Sequence, residues 1–219
     1  MCGAGTGIPG ARLRAVPTPT DPSIQRVLDA ATRKGVALEV RVFDQSTHTA
    51  QDAASALGVE LGQIVKSLVF VAPQRSGEVE PIVCLVSGPN RVDLARLAAV
   101  TGEPEIRRAT ANEAHDLTGF PIGGIPPIGH LQPVRVVMDP DLGRFQTVWA
   151  AAGTGTAVFP VPPGTLRTLA NGMVAPITEV RLAADVAAGA EAAERDVQDG
   201  GIGGHGGLGG QAAAQGAGA

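Results

Sequence analysis

Apolar positions along residues 21–180 recur at two spacings, one near every three to four residues and one at every second residue. These are the spacings of a buried helix face and of a half-buried strand. Asp21-Pro22 supplies a capping side chain and a first-turn proline,. Ile24, Val27, Leu28 and Ala31 follow as a helical stripe, and Gly35 closes it,. Residues 37–43 (ALEVRVF) alternate as a strand, and Thr49 caps a second helix ended by Gly58. The runs 64–72 (IVKSLVFVA) and 81–88 (PIVCLVSG) are rich in β-branched residues and flank a polar loop with Ser76-Gly77. They predict a strand pair. Helices are expected at 92–102, capped by Asp93, and at 110–117, capped by Thr110. Residues 119–133 (GFPIGGIPPIGHLQP) hold too much Gly and Pro for either regular state,. PVRVVMD, QTVWAAAG and TAVFPV read as strands, 162–170 as a short helix, and GMVAPITE as a last strand. Strands and helices do not alternate regularly, which predicts an α+β fold with a mixed sheet rather than a doubly wound one.

The ends lack this patterning. Residues 1–20 are rich in Gly, Pro and Thr. Residues 181–199 carry two Arg against five acids, and the stretch beyond is Gly/Ala-rich. Neither end can bury enough surface to offset the entropy of ordering, so 1–20 and 181–219 are expected to be disordered tails around a domain at 21–180. Two G-x-G-x-x-G matches, at 5–10 and 201–206, fall in these ends. Neither follows a strand or opens a helix, so they do not support a dinucleotide site.

With 17 basic and 21 acidic residues the formal charge is −4. Binding to nucleic acid by bulk charge, and DNA as a partner, are therefore not expected. Cys2 and Cys84 cannot make a disulfide framework, and no apolar run reaches the length of a membrane span,. These features predict a cytoplasmic protein with no membrane partner. The four histidines (48, 115, 130 and 205) show no metal-ligand spacing, and there is no P-loop and no G-x-S-x-G,. Cys84 lies mid-strand and reads as a small core residue.

Two features carry chemistry. Only two of the 17 basic residues are lysines, Lys34 and Lys66. Lys34 ends an exposed helix. Lys66 interrupts an apolar strand and by alternation shares a face with Leu68 and Phe70,. A cation there is costly to desolvate unless it is paired or lies at an open end, and Lys is the cation whose pKa responds to burial. It suits the holding of a carbonyl, hydroxyl or phosphate, or else snorkels to water. The second feature is the loop from Gly119 to His130. Glycines let backbone N–H groups approach a ligand and prolines stiffen the frame, which suits a carbonyl or developing oxyanion. A stiff connector would look the same. His130 faces a ligand or solvent.

Together these segments resemble the YbaK/prolyl-tRNA-synthetase-associated editing domains. Gly62-Gln63-Ile64-Val65-Lys66-Ser67-Leu68-Val69-Phe70 is similar to the family's lysine strand. Val86-Ser87-Gly88 with Arg91-Val92-Asp93 is similar to its next strand and helix start. Gly119 to His130 is similar to its G-x-x-x-P loop, with Gly123 and Pro127 as fixed ends, and Trp149 to Gly153 to its closing strand. The resemblance spans about 36–170. It implies a curved, largely antiparallel mixed sheet flanked by helices. It also implies a free-standing aminoacyl-tRNA deacylase that edits in trans, without metal or cofactor. Its site would be Lys66, Gly123 and Pro127 as catalytic elements, with Ser67, Gly124, Ile125, Gly129, His130 and Gly153 binding substrate. Its partners would be the acceptor end of aminoacyl-tRNA, helped by Arg107 and Arg108 or Arg91 and Arg96, and an aminoacyl-tRNA synthetase. Some members carry Asp or His where this chain reads Thr156-Ala157-Val158, which leaves cysteine, alanine and proline all open as the edited amino acid. A non-catalytic module on the same fold, binding tRNA or a synthetase, is the alternative.

Overall fold

The computed structural model describes the backbone of residues 13–15 and residues 21–44, 49–74 and 76–179 in full. Strand β1 (Leu13–Ala15) precedes helix α1 (Pro22–Thr32), which the Asp21 carboxylate caps by accepting from Ser23 N at 2.8 Å. Strand β2 (Arg41–Phe43) leads to α2 (Ala50–Leu57). There Thr49 and Asp52 form a reciprocal capping box and Gly58 stops the helix at φ 67°,. Strands β3 (Val65–Pro73) and β4 (Val79–Ser87) pair antiparallel over nine residues, from Val65↔Ser87 to Pro73↔Val79. Then come α3 (Leu94–Thr101), β5 (Arg107–Arg108), α4 (Ala111–Thr118), β6 (Arg135–Met138), β7 (Val148–Ala151), β8 (Ala157–Val161), α5 (Pro163–Ala170) and β9 (Met173–Val174).

The expected α+β class holds, but the strands make two sheets. One has the order β1-β2-β8-β7, wholly antiparallel; the other is β5-β3-β4-β6-β9, in which β6 runs parallel to β4 and β9. A single parallel bridge, Ile64↔Trp149, links the start of β3 to β7. Both faces of the β3–β4 pair are covered, which is why those strands read as near-continuous apolar runs. Val65, Val69, Val83 and Leu85 enter the main core with Val27, Phe120, Phe159 and Leu166. The alternate residues Phe70, Ile82, Cys84 and Val86 pack with Leu97 and Ile177 in a second cluster. Each such fully buried side chain contributes about 1.5–3 kcal/mol.

Three local expectations change. Of 37–43 only Arg41–Phe43 is strand, because β8 meets β2 at two residue pairs only. Leu13–Ala15, inside the stretch expected to be a tail, pairs antiparallel with β2. The last strand is two residues long. The remaining tail positions, 1–12, 16–20 and 180–219, lie outside the described residues, as do both glycine motifs.

Candidate active site

A cavity of about 260 Å³ lies beside the first half of β3. Lys66, Ser67 and Val69 line it from the strand, Ile122, Gly123 and Ile125 from the Gly/Pro loop, with Ala114, Arg108 and Ala151 completing the wall. The structure thus brings together the two segments that the sequence singled out, from positions more than fifty residues apart. The wall is mostly apolar, so the few polar groups that reach it matter.

Ser67 Oγ is one of them: it is buried and has no hydrogen-bond partner. The Lys66 ammonium donates to the main-chain carbonyl of Asn90 at 2.5 Å. Asn90, itself 9% exposed, sits in the turn after β4 and donates through Nδ2 to Asp141 at 2.9 Å. The other oxygen of Asp141 accepts from Arg144 at 2.9 Å. The lysine is thereby held at one edge of the cavity by a turn that is fixed in its own right. Sequence reading did not single out Asn90; its only signal was its place just beyond the strand end opposite Lys66.

The loop has two differently used sides. Gly123 adopts φ 86°, and a Cβ there would meet open space. Among the described residues the amides of Gly123 and Ile125 have no hydrogen-bond partner. Gly124, between them, is fully engaged: its N–H donates to Pro121 O at 3.0 Å and its carbonyl accepts from Gly153 N at 3.1 Å. A Cβ on Gly124 would come within 2.7 Å of the Thr154 backbone, and one on Gly153 within 2.8 Å of Ser23 O. Gly153 therefore supports the loop and is absent from the lining of this cavity.

Pro127, Gly129 and His130 are not brought to it either. They line a second cavity, of about 280 Å³, with Arg33 and Lys34 from the end of α1. His130 Nε2 donates to Pro126 O at 2.8 Å, a carbonyl being able only to accept,. Burial, and secondarily the charge of Arg26, holds its pKa below the ordinary histidine value against the opposing effect of that hydrogen bond,. His130 thus acts as a neutral strut. Its ring meets Phe120 edge-on at 6.2 Å, and the Arg26 guanidinium stacks on the same Phe120 at 3.9 Å while donating to Gly119 O. Arg26 is a second residue missed by sequence reading, since a helix arginine gives no sign of what it will face.

Of the two arginine pairs considered, Arg107 is committed to Glu113 through two hydrogen bonds, at 2.8 and 2.6 Å. That pairing, with the Thr110 N–H, pulls the Glu113 carboxyl down to about 2. Arg108 is exposed at the cavity wall. Cys84 is fully buried, and burial pushes its thiol up to about 12, which suits a core residue and not a nucleophile,. Among the described residues no three His, Cys, Asp or Glu side chains gather as metal ligands, and no helix is long and apolar enough to cross a membrane.

Comparison with known proteins identifies the family. Residues 44–169 match the family model of the aminoacyl-tRNA editing domain. YwhH, an uncharacterised protein of Bacillus subtilis, is 33% identical over 126 residues, 57% of this chain and 76% of its own length. EbsC of Enterococcus faecalis, named as a candidate Cys-tRNA(Pro)/Cys-tRNA(Cys) deacylase, is 27% identical over 59% of this chain and 77% of its own. A proline–tRNA ligase of Limosilactobacillus fermentum is 33% identical over 95 residues, only 17% of that enzyme. Among solved structures, a candidate trans-editing enzyme for prolyl-tRNA synthetase is 44% identical with a TM-score of 0.67, covering 74% of this chain and 100% of that one.

Proposed function

Because the chain belongs to the aminoacyl-tRNA editing domain family, we propose that it hydrolyses, in trans, the ester joining a small, wrongly attached amino acid to its tRNA. The observation that carries the reading is the cavity between the lysine strand and the amides of Gly123 and Ile125. An aminoacyl ester is already activated. The protein has to orient a water and stabilise the negative charge that forms on the carbonyl oxygen. In this reading the two loop amides donate to that oxygen, without side chains that could swing away. Gly124 and Pro127 hold the frame, since one is hydrogen-bonded on both sides and the other has fixed φ,.

Lys66 holds the hydroxyl end of the ester, its ammonium oriented by the Asn90 carbonyl. When water adds to the carbonyl carbon and the ester C–O bond breaks, the ribose oxygen leaves with a proton. A fixed ammonium beside that oxygen stabilises the departing charge. The substrate's own hydroxyl or thiol can serve to position the water, so a protein nucleophile is not required. At about 260 Å³ the cavity lies just below the range of drug-sized sites and suits an aminoacyl group but not a nucleotide,. The terminal adenosine and acceptor stem therefore remain outside, with Arg108 at the rim. The tRNA contact is local and weakly charged, in keeping with a net charge of −4. The site of action is the cytoplasm, and a synthetase is a natural second partner.

The test is release of amino acid from tRNA charged with Cys, Ala, Ser or Pro. Turnover of at least one supports the reading. Binding of charged tRNA or a synthetase without turnover of any would replace it with a non-catalytic module.

A further inference from the structure

Buried polar side chains are few among the described residues: Ser87, Asn90, Thr118 and Asp139. Thr118 is occupied locally, by Ala114 O and Phe120 N. The other three belong to one network around the turn at 88–93, between β4 and α3. The Asn90 carbonyl in this turn accepts from Lys66. Burying polar groups is costly, and a core made for stability alone would use apolar residues there. A fully satisfied polar network instead holds a single geometry.

The network fixes the turn from several directions. Ser87 Oγ donates to Gly62 O at 2.7 Å, which ties the end of β4 to the segment leading into β3. Asn90 N donates to Ser87 O at 2.9 Å and closes the turn, while Asn90 Nδ2 donates to Asp141 at 2.9 Å. Further along, Val92 bridges Thr178, Asp93 N donates to Ile177 O, and Glu179 N donates to Arg91 O. Asp139 joins these supports. Its carboxylate accepts from Asp141 N at 3.0 Å, from Ile177 N at 3.3 Å and from Thr178 Oγ1 at 2.9 Å.

A lysine has a flexible stem and three rotatable donors. It helps a transition state only when its nitrogen is held in place beforehand. A main-chain carbonyl can hold it only as firmly as the backbone bearing that carbonyl is held. We propose that Asn90 and Asp141 are positioning residues for Lys66. The hydrogen bond between their side chains sets the carbonyl that orients the ammonium, and so governs ester cleavage without touching the substrate. The inference rests on the deacylase reading above. Asp141 lies toward the surface, its side chain 25% exposed, so its replacement leaves the apolar core intact.

The chain has only two lysines, Lys66 and Lys34. Labelling lysine with 15N therefore gives two side-chain ammonium signals in NMR spectra, with the exposed Lys34 as internal standard. Hydrogen exchange at Lys66 should be slower than at Lys34 in the wild type. Asp141→Ala and Asn90→Ala break one hydrogen bond from opposite ends, and each should speed Lys66 exchange by about 5-fold or more. Asp141→Asn keeps an acceptor and should restore the slow rate. Kinetics use whichever of the tRNAs charged with Cys, Ala, Ser or Pro the wild type deacylates fastest. On it either alanine variant should lower kcat by about 10-fold, with KM little changed. In a Lys66→Ala background the same change should cost nothing further, because residues that act through one group are not additive. If one alanine variant fails to fold, the other carries the test. Unaltered Lys66 exchange, or a kcat loss as large without Lys66 as with it, would overturn the proposal and leave the deacylase reading standing. If the wild type releases none of the four amino acids, that reading falls, and the exchange rates alone decide whether Asn90 and Asp141 position the lysine.

Discussion

The two sides of the Gly/Pro loop are built from the same residue types and do opposite work. On the cavity side, Gly123 and Ile125 line the wall, and their amides have no partner among the described residues. On the other side almost every polar group is bound. Gly124 is tied to Pro121 and Gly153, His130 to Pro126, and a Cβ on Gly129 would come within 3.2 Å of Arg26 O on α1. Donors hold a reactive geometry only when their support is locked by packing and hydrogen bonds. The bound side is what makes the open side usable. A motif that reads in sequence as one binding loop is, in three dimensions, a displayed edge on a scaffold.

Substitutions can break this contrast, and the largest effect is expected on the cavity side. Lys66→Ala should slow amino acid release by about 10²–10³, the loss seen when a transition-state donor is removed. Its melting temperature should stay near wild type, since the lysine is only partly buried. An unchanged rate would remove Lys66 from the mechanism. On the scaffold side the signs reverse. Gly153→Ala places a methyl 2.8 Å from Ser23 O at φ 103° and should cost roughly 2–4 kcal/mol of stability, read by urea unfolding,. Gly123→Ala meets no atom, so only its φ of 86° counts against it, about 1–2 kcal/mol,. Its rate should fall by more than its stability does. A Gly123→Ala protein that is fully active would show that catalysis does not depend on a glycine's backbone freedom at this position.

Smaller effects come from titration. The His130 pKa is depressed in the folded state by burial, so the unfolded chain binds the proton first as pH falls. The stability the neutral ring provides is complete above about pH 6.5, the unfolded value, and declines as pH drops toward the lower folded value. Unfolding at pH 5 and 7.5 should show this slope, and His130→Asn should flatten it. The least effect belongs to Glu113, whose side chain is about one-third exposed. Its carboxyl, lowered to about 2 chiefly by Arg107, supports α4 above its ordinary value, and that support fades as pH falls toward 2,. Glu113→Gln should weaken this acid-side slope and nothing else.

Much of this contrast was legible in the sequence, for reasons that are local. Asp21, Thr49, Asp93 and Thr110 all cap the helices they announce, because a cap is decided within four residues,. The β3–β4 pair was plain because burial on both faces leaves an apolar run. Lys66 stood out because it breaks that run. What was hidden depends on distant partners. β5 is two arginines, and β1 lies in a Gly/Pro/Thr-rich stretch, and both are strands only because another strand is there to pair with. The engagement of Lys66 by Asn90, and the assignment of Gly123 to one cavity and His130 to another, are matters of backbone path that no spacing encodes.

The site assignment is tested most directly by titrating the protein with 3′-alanylamino-3′-deoxyadenosine, an uncleavable amide analogue, and following backbone amide resonances by NMR. The amides of Ser67, Gly123 and Ile125 should shift in step and saturably, while those of Gly129 and His130 stay in place. Shifts centred on Gly129 and His130, with Ser67 and Gly123 unmoved, would contradict the account and move the site to the other side of the loop.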